Sequence, residues 1–153
     1  GGKWMIALAG FAAAVFLAAV VGARFRPDAW YDDLAKPSWQ PPKWVFAPVW
    51  TVLYVAIAIA GWRLWSLGSA LGVTLWAVQL GLNAIWSPLF FGARRIDLAL
   101  ADIAALWLAV AATVAVSATV DGVATWLLAP YLAWVSFAAA LNFAVWRLNR
   151  AWI

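Results

Sequence analysis

Five apolar runs, each close to 20 residues long, dominate the sequence: 4–23, 44–62, 71–91, 96–120 and 123–146. A bilayer has a hydrocarbon core of roughly 30 Å, and an α-helix needs about 20 residues to cross it. No water reaches that core to satisfy backbone N–H and C=O groups, so a spanning segment must pair them internally. The runs therefore predict an all-α membrane protein, a five-transmembrane-helix bundle, with residues 1–153 forming a single integral membrane domain. Composition agrees. Charged residues make up 10% of the chain and hydrophobic ones 68%, where a soluble domain carries about a quarter charged residues. The first run is read as a span, not a cleaved signal, because Gly22-Ala23-Arg24 leads into charge and further spans follow.

Charge placement gives an orientation. Lys3, Arg63 and the acidic Asp121 turn fall on one side. Arg24, Arg26, Lys36, Lys43, Arg94, Arg95, Arg147 and Arg150 fall on the other. The positive-inside rule puts the second group, and with it the C-terminus, in the cytoplasm. The net charge of +4 is thus read as topology, with no nucleic-acid partner. A bacterial membrane is expected, inner or outer left open.

One connection is long. Residues 25–43 contain Pro27, Pro37, Pro41 and Pro42, so they cannot form one helix. They also contain Trp30, Tyr31, Leu34 and Trp39. Such aromatics also occur in an interfacial belt, but a belt does not call for the proline scaffold. The segment is read as a structured lid over the bundle. The third run holds a second anomaly, Asn83 and Pro88 among aromatics. A buried amide and a helix-breaking proline at bilayer depth are kept where they face protein or a cavity.

What is missing also matters. There is no Cys and no His. Disulfides, thiolate chemistry and Cys-based zinc or iron–sulfur sites are excluded, and the commonest general base and metal ligand is absent. No metal site is expected. No hydrolytic triad or nucleotide loop is visible. Lys3, Lys36 and Lys43 all lie outside the spans, leaving no midplane lysine for a Schiff base.

The pattern Trp30-Tyr31-x-x-Leu34-x-Lys36-Pro37-x-Trp39-x-Pro41-Pro42-x-x-Val45-Phe46-x-x-Val49-Trp50-x-x-Leu53-Tyr54 resembles the signature of the translocator protein family. This family comprises the tryptophan-rich sensory proteins of bacteria and the peripheral-type benzodiazepine receptors of mitochondria. Two more blocks match it: Asn83-x-x-Trp86-x-Pro88-x-Phe90-Phe91, and Pro130-Tyr131-Leu132-Ala133-Trp134 followed by Ala138 and Leu141-Asn142. The resemblance implies a homodimeric five-helix bundle with a pocket beneath the first loop. It implies porphyrins, benzodiazepine-type molecules and sterols such as cholesterol as ligands, and a role in tetrapyrrole regulation or stress response. It also raises light- and oxygen-dependent porphyrin degradation, or transport, as alternatives, so whether the protein is an enzyme stays open. The family's sterol motif is degenerate here: Leu141, Phe143 and Arg147 stand in its frame, with Phe in place of Tyr.

Helical spacing supports a shared hollow. Trp50 and Tyr54 are four apart and face one way, with Phe46 one turn earlier. Asn83, Trp86 and Phe90 are near neighbours on the third helix. Tyr131, Trp134, Ala138 and Leu141 form a stripe on the fifth, with Asn142 beside it. The small Ala138 opens a gap between larger side chains. With Trp30, Tyr31, Trp39 and Pro41 from the lid, these residues are the candidate ligand-binding set, and the alternative is that the rings only pack helices or meet lipid. Porphyrin or haem enters as ligand and no cofactor is required. Without His or Cys, such a ligand would be held by stacking and by lid cations. Trp50 and Trp134 are the candidates for any photo-oxidation. Asp102, inside the fourth run, is read as a paired structural acid, with a proton-coupled role as the alternative. Gly72, Ala77 and Gly81 on the third helix form a small-residue face, and the family resemblance points to that helix for the dimer seam.

A fluorescent protein fused at the C-terminus is expected to be bright in bacterial cells, while alkaline phosphatase fused there stays inactive. The reverse pair of results overturns the orientation.

Overall fold

Three side chains set where helices begin. In a computed structural model that describes residues 2–150, Asp28 Oδ1 accepts the Tyr31 N–H (3.2 Å), Ser69 Oγ accepts the Gly72 N–H (3.0 Å), and Asp121 accepts the N–H groups of Val123 and Ala124 (3.3 and 3.2 Å). Each satisfies donors that a helix N-terminus leaves unpaired. The helices are α1 (Gly2–Arg24), α2 (Ala29–Asp33), α3 (Phe46–Ser66), α4 (Ala70–Ser87), α5 (Ile96–Ala118) and α6 (Gly122–Leu148). All except α2 belong to segments long and apolar enough to cross a membrane. The protein is an integral membrane protein, and the five long helices are those read from the sequence.

Several ends differ from expectation: α5 stops at Ala118, two residues early, and α6 runs to Leu148, two residues late. The second span runs past Trp62 to Ser66. A charge had marked its end, but Arg63 stays helical because its guanidinium grips Asp121 at the start of α6, at 2.5 and 3.0 Å. That pairing holds the Asp121 carboxyl below the usual carboxylate range. The third span does not break at Pro88. It widens into a π-helical turn over Pro88–Gly92, in which the Ala93 N–H reaches five residues back to the Pro88 carbonyl (2.8 Å). In membrane helices a local π adjustment re-satisfies backbone groups that a proline frees. The turn ends at Arg94, whose φ of 56° is left-handed and uncommon for a residue with a Cβ.

The long helices form a closed ring. α1 packs on α3 and α4, α3 on α6, α6 on α5, and α5 on α4. In lipid, such packing comes from close fit and interhelical hydrogen bonds, because lipid tails are as apolar as leucine. A close fit joins α3 and α4 at Gly61. Trp76 of α4 lies against Gly61 and donates its indole N–H to the Ile57 carbonyl (2.8 Å). Phe11 of α1 meets the same indole edge-on, with centroids 4.9 Å apart. A Cβ on Gly61 would lie 2.5 Å from Trp76 Cε2 and 2.9 Å from Phe11 Cδ1.

Small residues of the long helices divide between two roles. On α1, Ala18 is buried, while a Cβ at Gly10 would meet nothing. On α4, Ala77 and Gly81 are exposed, and Gly81 has open space around it. Gly72 is instead buried within the chain, close to Leu64 of α3 and its own cap Ser69. The exposed part of the expected seam is therefore Ala77 and Gly81.

Gly61→Ala is expected to destabilise the detergent-solubilised protein by about 1–3 kcal/mol through overpacking. Gly10→Ala, with space to spare, should be neutral or stabilising. Thermal unfolding measures both, and equal midpoints for the two variants would show that the slot at Gly61 is not tight.

Candidate ligand-binding site

A cavity of about 710 Å³ opens inside the ring, at the end where α1, α4 and α6 finish and α3 begins. Four of the long helices supply most of its wall. α3 contributes Phe46, Trp50 and Tyr54; α4 and the turn after it contribute Asn83, Trp86 and Phe90; α6 contributes Trp134, Ala138, Leu141 and Asn142; α5 adds Ile103 and Leu106. Tyr31 of α2 closes it from the lid. The three aromatic stripes predicted from helical spacing thus converge on one space, as 3.6-residue periodicity requires.

The rings brace each other. Trp50 stacks on Tyr54 (5.2 Å, 30°) and meets Trp134 almost perpendicularly (6.3 Å, 87°). Phe46 packs edge-on against Trp134 at 5.7 Å. Across the cavity, Trp86 lies over Phe90 at 5.0 Å. Separations of 4.5–7 Å in tilted or edge-on geometry are the favourable ones for aromatic pairs. Each ring is held by another ring, so the wall is preformed.

Amides fix the rings in direction. Asn142 Oδ1 accepts the Trp86 indole N–H (2.9 Å), and its Nδ2 donates to the Ile96 carbonyl (3.3 Å), joining α4, α5 and α6. Asn83 Oδ1 accepts from the Tyr54 hydroxyl (3.2 Å), while its Nδ2 donates to the Tyr131 hydroxyl (2.9 Å). Tyr131 in turn donates to Gln79 Oε1 (2.6 Å). The chain of donors runs from the cavity surface inward. Among the described residues, four buried side-chain atoms lack partners: Trp62 Nε1, Gln79 Nε2, Asp102 Oδ2 and Trp134 Nε1. Trp134 lines the cavity. Asp102 is 9% exposed, and the partner expected for its carboxylate is absent at Oδ2.

The lid sits on an aromatic base. Tyr31 packs edge-on against Phe90 (6.0 Å) and Phe91 (5.4 Å), and its hydroxyl accepts from Gln40 Nε2 (2.7 Å). Burial raises its phenol pKa above the ordinary value. Lys36 Nζ lies 4.7 Å from the centre of the Tyr31 ring. Trp30 packs on Phe90 under the Arg94 guanidinium, which also reaches Asp28 (3.4 Å). The left-handed turn at Arg94 is thereby pinned to the lid. Lys43 pairs with Asp32. Arg26 and Lys43 both line the mouth, beside Ala47 and Thr51 of α3.

Four expected residues do not line the cavity. Trp30 supports Phe90 from outside. Trp39 is 48% exposed and packs edge-on against Phe137. Pro41 is partly buried in the lid. Tyr131 is fully buried; its ring lies behind Trp50 (6.3 Å) and its hydroxyl is taken up by Asn83 and Gln79. The degenerate sterol frame is split as well: Leu141 faces the cavity, while Phe143 and Arg147 are exposed on the outside of α6. Sequence reasoning missed the wall given by α1, where Ala19, Gly22 and Ala23 line the cavity. Their small side chains carry no signal in an alanine-rich helix.

Comparison with known proteins agrees with this architecture. The model of the TspO/MBR family matches residues 8–147. The chain belongs to the TspO/MBR family. It is 44% identical over 140 residues to the tryptophan-rich sensory protein of Cereibacter sphaeroides, covering 91% of this chain and 89% of that protein. It is 43% identical over 137 residues to protein CrtK of Rhodobacter capsulatus, 86% of each chain. Human translocator protein is 42% identical over 158 residues, covering 97% of this chain and 93% of its own. The TspO/MBR resemblance read from the Trp30–Tyr54 signature is thus correct.

Tyr131→Phe is expected to cost about 1–2 kcal/mol of stability by deleting two interhelical hydrogen bonds. It should leave ligand affinity within about threefold, since the hydroxyl faces away from the cavity. Paired unfolding and binding titrations check this. A large loss of affinity at unchanged stability would show that Tyr131 meets the ligand directly.

Proposed function

We propose that this TspO/MBR protein binds porphyrins and related flat aromatic ligands in the cavity beneath the lid. Sterol-like and benzodiazepine-type molecules would share the same apolar walls. The observation that carries this reading is the combination of braced aromatic walls with polar groups at opposite ends. Arg26 and Lys43 stand at the mouth, and the Trp134 indole N–H is unpartnered within. A volume of about 710 Å³ falls in the range usual for small-molecule sites, roughly 300–1,000 Å³. A porphyrin would insert its plane between the Trp50/Trp134 and Trp86/Phe90 walls and leave its propionates near the cations. With no His or Cys in the chain, affinity for metal-free porphyrin and for haem should be similar.

A second reading builds on one contact. Trp50 and Trp134 both line the cavity and touch edge to face. An indole there could pass an electron to a photoexcited porphyrin, with dioxygen as terminal oxidant. This makes degradation in the light an activity of the same site. The exposed Ala77 and Gly81 of α4 form the face proposed for a homodimer.

Titration with protoporphyrin IX should quench tryptophan fluorescence saturably, and haem should give an affinity within about threefold of it. Ala138→Phe fills the gap on α6 and should weaken both by at least tenfold, about 1.4 kcal/mol. Unchanged affinity in Ala138→Phe, or non-saturable quenching by the wild type, would overturn the reading.

A further inference from the structure

One side chain outside the cavity ties the lid to the bundle. Asn149 follows the last residue of α6 and is 3% exposed. Its Oδ1 accepts the Ala35 N–H (3.0 Å), and its Nδ2 donates to the Ala35 carbonyl (2.8 Å) and to the Val145 carbonyl (2.7 Å). The amide therefore pairs with both backbone groups of one lid residue, as a neighbouring strand would, while anchored to its own helix. The contact spans 114 positions in sequence. Ala35 lies just past α2, whose Tyr31 covers the cavity.

Beside the buried packing of Tyr31 on Phe90 and Phe91, the lid's remaining side-chain ties to the bundle and within itself are weaker. Arg94 to Asp28 and Lys43 to Asp32 join exposed groups, and exposed ion pairs contribute little. The Trp39–Phe137 contact is half-exposed. Asn149 itself is buried although Ala35 is exposed, and separating the pair strips that buried amide of two of its three partners.

We propose that the Asn149–Ala35 pair is a latch that sets how fast ligand enters and leaves the cavity. The inference rests on the ligand-binding reading. Asn149 is a positioning residue: it touches no cavity surface, so its loss should act on rates and not on the closed-state fit. Opening the lid precedes both entry and exit, so association and dissociation should accelerate together, and their ratio should hold.

Two variants and two measurements test this. Asn149→Ala removes the latch; Asn149→Asp keeps the acceptor for the Ala35 N–H but replaces the two donations with a repelling oxygen. In stopped-flow quenching with protoporphyrin IX, both should raise the association and dissociation rates by roughly tenfold, with Kd within about threefold of wild type. In amide hydrogen exchange without ligand, protection should fall across residues 30–40 while α3 to α6 stay protected. Unchanged rates, or a rise in dissociation alone with loss of affinity, overturns the latch. So does unchanged lid protection. If wild type binds no porphyrin, the ligand-binding reading fails, and hydrogen exchange alone still decides whether Asn149 holds the lid.

Discussion

The Tyr131 hydroxyl is the junction on which the architecture depends. It donates to Gln79 and accepts from Asn83, and Asn83 in turn accepts from Tyr54. The chain joins α3, α4 and α6, running from the cavity wall to the fully buried Tyr131 and Gln79. Each such bond contributes modestly in a bilayer, yet each is directional, whereas apolar packing is not. Asn142 repeats the device nearer the lid by fixing Trp86. Helices held apart at these points cannot collapse onto each other, and the space left between them is the cavity.

The chemistry of the wall follows from the same constraint. A polar group at bilayer depth is retained where it is paired or where it is used. Asn83 and Asn142 are paired. Trp134 Nε1 is not, and it belongs to the cavity lining. Arg26 and Lys43 stand at the mouth. The site is therefore graded from apolar and aromatic inside to cationic outside, which matches a flat ligand with acidic substituents on one edge.

Much of this was legible in the sequence, and the gaps have physical causes. The five helices followed from run length alone, and the aromatic stripes followed from helical periodicity once Trp50, Trp86 and Trp134 were placed. Lid aromatics were harder, because a tryptophan in a loop reads the same whether it faces the cavity, like Tyr31, or the surface, like Trp39. Tyr131 lies on the cavity stripe by angle but is capped by its own hydrogen bonds, which spacing does not reveal. Gly22 and Ala23 were invisible because they contribute absence of bulk. Asn149 was invisible for a different reason: its partners are backbone groups of a residue far away in sequence, and no side-chain pattern encodes them. Run length also misjudged the end of the second span, because the ion pair with Asp121 lets Arg63 remain helical.

A crystal structure of the complex with protoporphyrin IX tests the central claim most directly. The account predicts ring density between the Trp50/Trp134 and Trp86/Phe90 walls, under Tyr31, with propionates within reach of Arg26 and Lys43. Density confined to the outer, lipid-facing surface of the helices, with the cavity left empty, would contradict it.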